Sequence, residues 1–120
     1  MKAWRPTGRR MPVQLSDDIE RGRTSEMVHI VKPEEGVRIA RLWVKPPASR
    51  FVIESVRVGI NGWKVGIQAD LFTGPDGQIF ESFDVAEPGM DIGLSVFNEG
   101  EARSRFEALL FLELLEPYRG

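Results

Sequence analysis

The chain contains no cysteine. Disulfide staples, thiolate nucleophiles and thiolate metal sites are therefore excluded. This fits a reducing compartment without requiring one. The fold must rest on a core alone, which 120 residues allow, since a chain of about this length buries roughly two-thirds of its unfolded surface. Histidine occurs once, at His29. A Ser-His-Asp triad or a histidine-based zinc centre has almost no material, and His29 reads as a strand residue between Val28 and Ile30. No apolar run reaches the roughly 20 residues that span a bilayer, so no membrane span is expected. The opening "MKAWRPTGRR" is basic but leads into no apolar segment, so no secretory signal is expected either.

Other chemistries are missing by spacing rather than by composition. Asp70, Asp76, Glu81, Asp84, Glu87 and Asp91 fall near one another in sequence, but at intervals that match no EF-hand loop. They read as turn and solvent-face residues. Gly59, Gly62 and Gly66 sit among alternating apolar residues, not ahead of a helix, and form no phosphate loop. No cleft signature accompanies any carboxylate pair that could hydrolyse a glycoside. No enzyme, cofactor or metal is expected.

What is present is a β texture. From Met27 onward, short β-branched and aromatic runs alternate with the punctuation "KPEEG", "PPAS", "NG", "GPDG", "AEPG" and "NEGEA". Strands at this spacing predict one all-β domain over 27–120, an antiparallel sandwich or barrel. Asn61-Gly62 is a favoured pair for a two-residue hairpin. It predicts Ile60 opposite Trp63, with Val56, Val58, Val65 and Ile67 on the same face. Pro75 between Gly74 and Gly77 predicts a second hairpin. Met90, Ile92, Leu94 and Val96 alternate with Asp91, Gly93, Ser95 and Phe97, giving a strand with one apolar face. In "FVIESV" the parity breaks: Phe51 and Ile53 belong to one set, Val56 and Val58 to the other. Either a bulge re-phases the strand or both its faces are covered.

"RFEALLFLELLE" has helix-forming residues, yet Phe106, Ala108, Leu110, Leu112 and Leu114 alternate with a face of acids and apolar residues. With the turn signal Asn98-Glu99-Gly100 ahead of it, the expectation is a strand over 105–115, paired with 90–97. Leu109, Phe111 and Leu115 on its mixed face then need cover from a second layer or another subunit.

Charge is uneven. Residues 1–24 hold six basic and three acidic side chains, while the other 96 hold ten and fifteen. With Pro6, Pro12, Gly8 and Gly22 and no sustained period, 1–26 reads as a basic extended arm preceding the domain. Trp4 in such an arm has no local core. Trp4, Arg5, Arg9 and Arg10 are the expected interface residues. The acidic body of a neighbouring copy is the favoured partner, Trp4 being the anchor; nucleic acid is the second option. Trp4 tucking back onto its own domain remains open. Trp43, Trp63, Phe72, Phe80 and Phe83 could line a sugar or base platform or pack in the core.

The stretches "FVIESVRVG", "ADLF", "DVAEPGMDIGLSVFNEG" and "RFEALLF" resemble small β-sandwich proteins of bacterial viruses, the single jelly-roll capsid or accessory virion proteins, over roughly residues 50–112. The resemblance implies a jelly-roll-like sandwich with a terminal arm. It also implies a non-enzymatic subunit that joins copies of itself or neighbouring virion proteins, in the virion or the host cytoplasm. It assigns no site residue. The alternative expectation is a ligand-binding, carbohydrate-binding-like module on the same sandwich.

Overall fold

The structure is a computed structural model that describes residues 3–75, 77–79 and 84–118. In chain order the strands are β1 (Ala3–Ile19), β2 (Thr24–Ile30), β3 (Gly36–Val44), β4 (Phe51–Val58), β5 (Asn61–Gln68), β6 (Gln78–Ile79), β7 (Asp91–Asn98) and β8 (Ser104–Tyr118), with one 3-10 turn at Ala69–Phe72. Among the described residues these strands form two antiparallel four-stranded sheets. Sheet A runs β1-β8-β3-β6 and sheet B runs β2-β7-β4-β5. Every consecutive pair of these strands switches sheets except β4 and β5, which form a hairpin within sheet B, so the all-β expectation holds as a two-sheet sandwich. Its long axis, 53 Å, matches the length of β1, since 17 strand residues at about 3.3 Å each cover roughly 55 Å.

Period-2 alternation builds the core. Phe106, Ala108, Leu110 and Leu112 of β8 point inward with Ile39, Leu42 and Val44 of β3 and Leu15 of β1. They meet Phe51, Ile53, Val56, Val58, Ile92, Leu94 and Val96 from sheet B. Phe51 and Phe106 join the layers edge to face, with centroids 5.2 Å apart and ring planes at 83°, a geometry that aromatic quadrupoles favour. The parity break in β4 is a bulge. Against β7, Ile53 and Ser55 pair with the consecutive Val96 and Ser95, so Glu54 is the extra residue. β5 answers with an extra residue of its own between Lys64 and Ile67, and Phe51, Ile53, Val56 and Val58 all face the core.

The region read as a separate arm, 1–26, is instead part of the sandwich from Ala3 onward. β1 pairs with β8 from Ala3↔Tyr118 to Ile19↔Ser104, with one shift between Pro6 and Arg10. Met11, Val13 and Leu15 reach the core, and residues 24–26 already belong to β2. The proline and glycine signals that argued against a strand mark an edge and a bulge. Proline has no N–H to give, so it is tolerated where the backbone faces away from its partner, and Pro6 and Pro12 both lie on this outermost strand.

The β4–β5 hairpin exists but turns two residues earlier than the Asn-Gly pair predicts. Val58 pairs with Asn61, and Val56 with Trp63, which leaves Gly59-Ile60 as the turn. Gly59 has φ 58°, the positive value that a type II′ turn needs at its first central position. The competing constraint is β7: Gly59 N–H donates to the Asp91 carbonyl at 2.8 Å, and Val56 and Val58 are held opposite Leu94 and Ile92. Asn61, displaced from the turn, donates its Nδ2 to Asp84 at 3.2 Å. The cost is Ile60, 98% exposed. Pairing within the sheet outweighed local turn chemistry.

At the second expected hairpin the tight turn is present, Gly77 N–H donating to the Gly74 carbonyl at 3.0 Å. It follows the 3-10 turn rather than a strand, and β6 pairs with β3.

The strand expected at 105–115 is β8, but its partners are β1 and β3 rather than β7. The connection from Asn98 arches between the sheets. Asn98 is fully buried, and its Nδ2 donates to the carbonyls of Ile19 at 2.8 Å and Ala102 at 2.9 Å. Its Oδ1 accepts from Gly100 N–H at 2.8 Å. What looks like a hairpin turn in sequence is a side-chain-pinned arch.

Candidate interaction faces

Each sheet has an outer face, and the two differ in chemistry. On sheet A the outward residues of β8 are Arg105, Glu107, Leu109, Phe111 and Glu113. Register places Gln14 and Trp43 beside Leu109, and Pro12 and Arg41 beside Phe111. The ends of this face are closed by ion pairs. Lys45 meets Glu107 at 3.0 Å, and Arg38 meets Glu113 at 2.6 Å. Lys45 holds the Glu107 carboxyl below the usual range, with a smaller effect from Arg105. Between these ends, Pro12, Leu109, Phe111 and Trp43 form an apolar belt across three strands. It lies in a hollow of about 580 Å³, rimmed by Arg10, Arg41 and Pro75. Leu109 and Phe111, the two side chains for which alternation demanded cover, lie here half-buried. Leu115, the third, is buried in the rung between Pro6 and Gly36.

The expected interface residues go different ways. Trp4 turns onto its own chain. Its ring lies so close over Gly36 that a Cβ there would come within 2.6 Å, and its Nε1 donates to Glu87 at 3.4 Å. Arg5 pairs with Glu116 at 2.7 Å and stands 5.7 Å from the Tyr118 ring centroid. Arg9 is exposed at the β1 bulge. Arg10 alone of the four lines the belt hollow. Sequence reasoning missed Pro12, Arg41 and Trp43 as its companions, because register across β1, β8 and β3 brings them together.

On sheet B the outer face divides in two. One half is occupied by Arg57, which reaches Asp91 at 2.8 Å and Glu26 at 3.0 Å. The hydrogen bonds that Arg57 donates to Asp91 and Glu26 raise its pKa further, and Arg57 in turn holds the Asp91 carboxyl below the usual range. The other half is a hollow of about 760 Å³ beside the β4 bulge, lined by Val52, Glu54, Ser55, Lys64, Val65 and Phe97 among others.

The acidic residues grouped in sequence do not converge. Asp84 holds Asn61, Glu87 holds Trp4 and Asp91 holds Arg57; Asp76 and Glu81 lie outside the described residues. No group of three His, Asp or Glu side chains among the described residues could hold a metal ion. His29 is the strand residue expected, opposite Ile92, with its pKa lowered by burial first and Lys32 second. Trp43 and Trp63 belong to different sheets and build no common platform, while Phe72 is buried and Phe80 and Phe83 lie outside the described residues. Among the described residues no helix is long and apolar enough to cross a membrane.

This defines an all-β, two-sheet sandwich with two unlike faces. No protein-family profile, curated protein or solved structure matches the chain.

Proposed function

We propose that this protein is a non-enzymatic structural subunit that assembles with copies of itself through the outer face of sheet A. The observation that carries the reading is the belt of Pro12, Leu109, Phe111 and Trp43, which no other layer of the described chain covers. A central aromatic and leucine patch with an arginine rim is the anatomy of a protein interface. Arg10 stands on the hollow's rim and no carboxylate lines it among the described residues, while residues 25–120 carry five more acids than bases. An acidic surface of a second copy therefore suits it.

The strand order supports a jelly-roll reading, since β1-β8-β3-β6 facing β2-β7-β4-β5 is the interleaving of two Greek keys. That architecture serves viral capsid domains and lectins alike, so the virion role stays part of the proposal, on the resemblance alone. Two of the four described edge strands, β1 and β5, argue for association by face. β1, the longest strand, presents Pro6 and Pro12, and β5 carries a bulge and Lys64; both devices discourage strand addition. The basic N-terminal segment then acts through Arg10 on the face rather than by exchange.

Sedimentation of the full chain over a concentration series, with and without Phe111→Asp, tests this. The wild type should self-associate. The variant should keep its melting temperature and associate at least about 30-fold more weakly, the loss of one hot-spot side chain worth ~2 kcal/mol. A wild type that stays monomeric at its highest soluble concentration overturns the reading. Retention of the same mass by the variant would move the interface elsewhere and overturn the assignment to sheet A.

A further inference from the structure

The hollow on sheet B has a different origin and a different chemistry from the belt. It exists because two irregularities coincide: the extra residue Glu54 in β4 faces the extra residue of β5 at Gly66, where φ is 61°. Bulges of this kind re-aim side chains and cluster beside functional sites. Here they open a depression whose floor is apolar, made by Phe97, Val52 and Val65, all half-buried. Polar groups converge around it. Thr24 Oγ1 donates to Glu54 and fixes that carboxylate on one side. Lys64 stands on the other with no ion pair among the described residues, and the Ser55 hydroxyl likewise has no partner there.

An apolar floor with a few convergent polar groups is the usual form of a small-ligand site, and about 760 Å³ lies inside the range of roughly 300–1,000 Å³ such sites span. Charge narrows the ligand class. Glu54 and Lys64 offset each other, so the hollow is close to neutral and favours neither an anion nor a cation. The groups offered are donors and acceptors in mixture: two or three hydroxyls, one carboxylate and one ammonium. A neutral ligand that returns both donors and acceptors, and has a flat C–H face to lie on Phe97, satisfies them together. We propose that this hollow binds a neutral saccharide, with a sugar ring on Phe97 and its hydroxyls shared between Glu54, Ser55 and Lys64. The site is on the sheet opposite the belt, so its occupancy does not depend on the assembly proposed above.

The test is a titration of the full chain, labelled with nitrogen-15, with maltose, cellobiose and lactose, and with a glucuronate-containing disaccharide as the charged control. Amide shifts of Val52, Ser55, Lys64, Gly66 and Phe97 should move with at least one neutral disaccharide, at dissociation constants in the ~1 mM range typical of weak ligands. Phe97→Ala and Glu54→Gln should each weaken that binding about 10-fold or more while the remaining amide spectrum stays folded. If no neutral disaccharide moves these amides at about 20 mM, well above that range, the proposal is overturned. It is equally overturned if the shifts map outside the hollow, or if only the glucuronate binds. Should Phe97→Ala disturb the fold, Glu54→Gln alone decides, because Glu54 is exposed and keeps its size and its Thr24 contact in that variant.

Discussion

Replacing Asn98 by alanine is the sharpest perturbation of this fold. The side chain is fully buried and makes three hydrogen bonds of 2.8–2.9 Å, two to carbonyls and one from a backbone N–H. Its own backbone is also engaged, giving N–H to Arg23 and taking Gly22 N–H. One residue thus ties the β7–β8 arch to the end of β1 and to the β1–β2 connection. Alanine removes the amide from the buried Ile19 carbonyl and from the part-buried Gly100 N–H, and leaves the Ala102 carbonyl with only the Ser104 hydroxyl, at 3.2 Å. At about 1–1.5 kcal/mol for each bond, and more where a group is left buried and unmet, the expected loss is about 3–5 kcal/mol. Domains of this size have ~5–15 kcal/mol in total, so the variant should fold but with its melting temperature lowered by roughly 10–20 °C. Urea unfolding reads this directly: the midpoint should fall with the slope unchanged. Asn98→Asp keeps the acceptor for Gly100 but sets a carboxylate against two carbonyls, and should be at least as damaging at neutral pH. A loss under about 1 kcal/mol for Asn98→Ala would falsify the view that this side chain holds the arch.

The turn position gives a paired test. Gly59→Val puts a β-branched residue at φ 58° and should cost about 1–3 kcal/mol, whereas Gly62→Val, with nothing closer than 4.0 Å to its Cβ, should stay within about 0.5 kcal/mol; chemical denaturation showing the reverse order would restore the Asn61-Gly62 turn. Deleting residues 1–15 removes Met11, Val13 and Leu15 from the core and bares β8, so the truncated chain should lose cooperative unfolding rather than merely weaken assembly; a sharp melt within a few degrees of the full chain contradicts the role of β1. Acid should destabilise the protein. Asp91 and Glu107 have depressed pKa values, so their contribution is present above the unfolded carboxyl pKa and lost as pH falls through the folded one. His29, also depressed from 6.5, contributes above that value and loses its share as pH falls below it. Melts from neutral pH to pH ~3 should decline, less steeply in Asp91→Asn; equal slopes would remove Asp91 from the account.

Much of the sandwich was legible because alternation is a local record of burial. The strand over 105–115 could be read although its residue types favour helix, since Phe106, Ala108, Leu110 and Leu112 repeat with period 2. The β7 faces, the bulge alternative at Phe51–Val58 and the strand role of His29 were legible for the same reason. Pairing was not. Nothing near Asn98 in sequence tells that its amide meets Ile19, 79 positions earlier, and without that contact a hairpin is the economical reading. β1 was hidden by its prolines, which break a period yet suit an outer edge. The expected interface residues followed from a free arm; once the arm is a strand, Trp4 has a seat on Gly36 and only Arg10 faces the belt.

The β4 bulge shows why surface and core cannot be assigned separately in this protein. A strand side chain slipped by one position crosses to the opposite face. Without the extra residue at Glu54, Val56 and Val58 would point outward and Ser55 and Arg57 inward, into a layer that holds Leu94 and Ile92. The bulge is therefore required by packing whatever lies above it. Yet the same insertion turns Glu54 toward Thr24, sets Ser55 opposite Lys64 and opens the hollow over Phe97. A feature with a sufficient structural cause has left a depression with Ser55 and Lys64 uncommitted among the described residues, on the one half of the sheet that Arg57 does not close. The parity break in "FVIESV" thus marks two things at once. It fixes which side chains enter the core, and it locates the place on sheet B where the surface departs from a flat pleat.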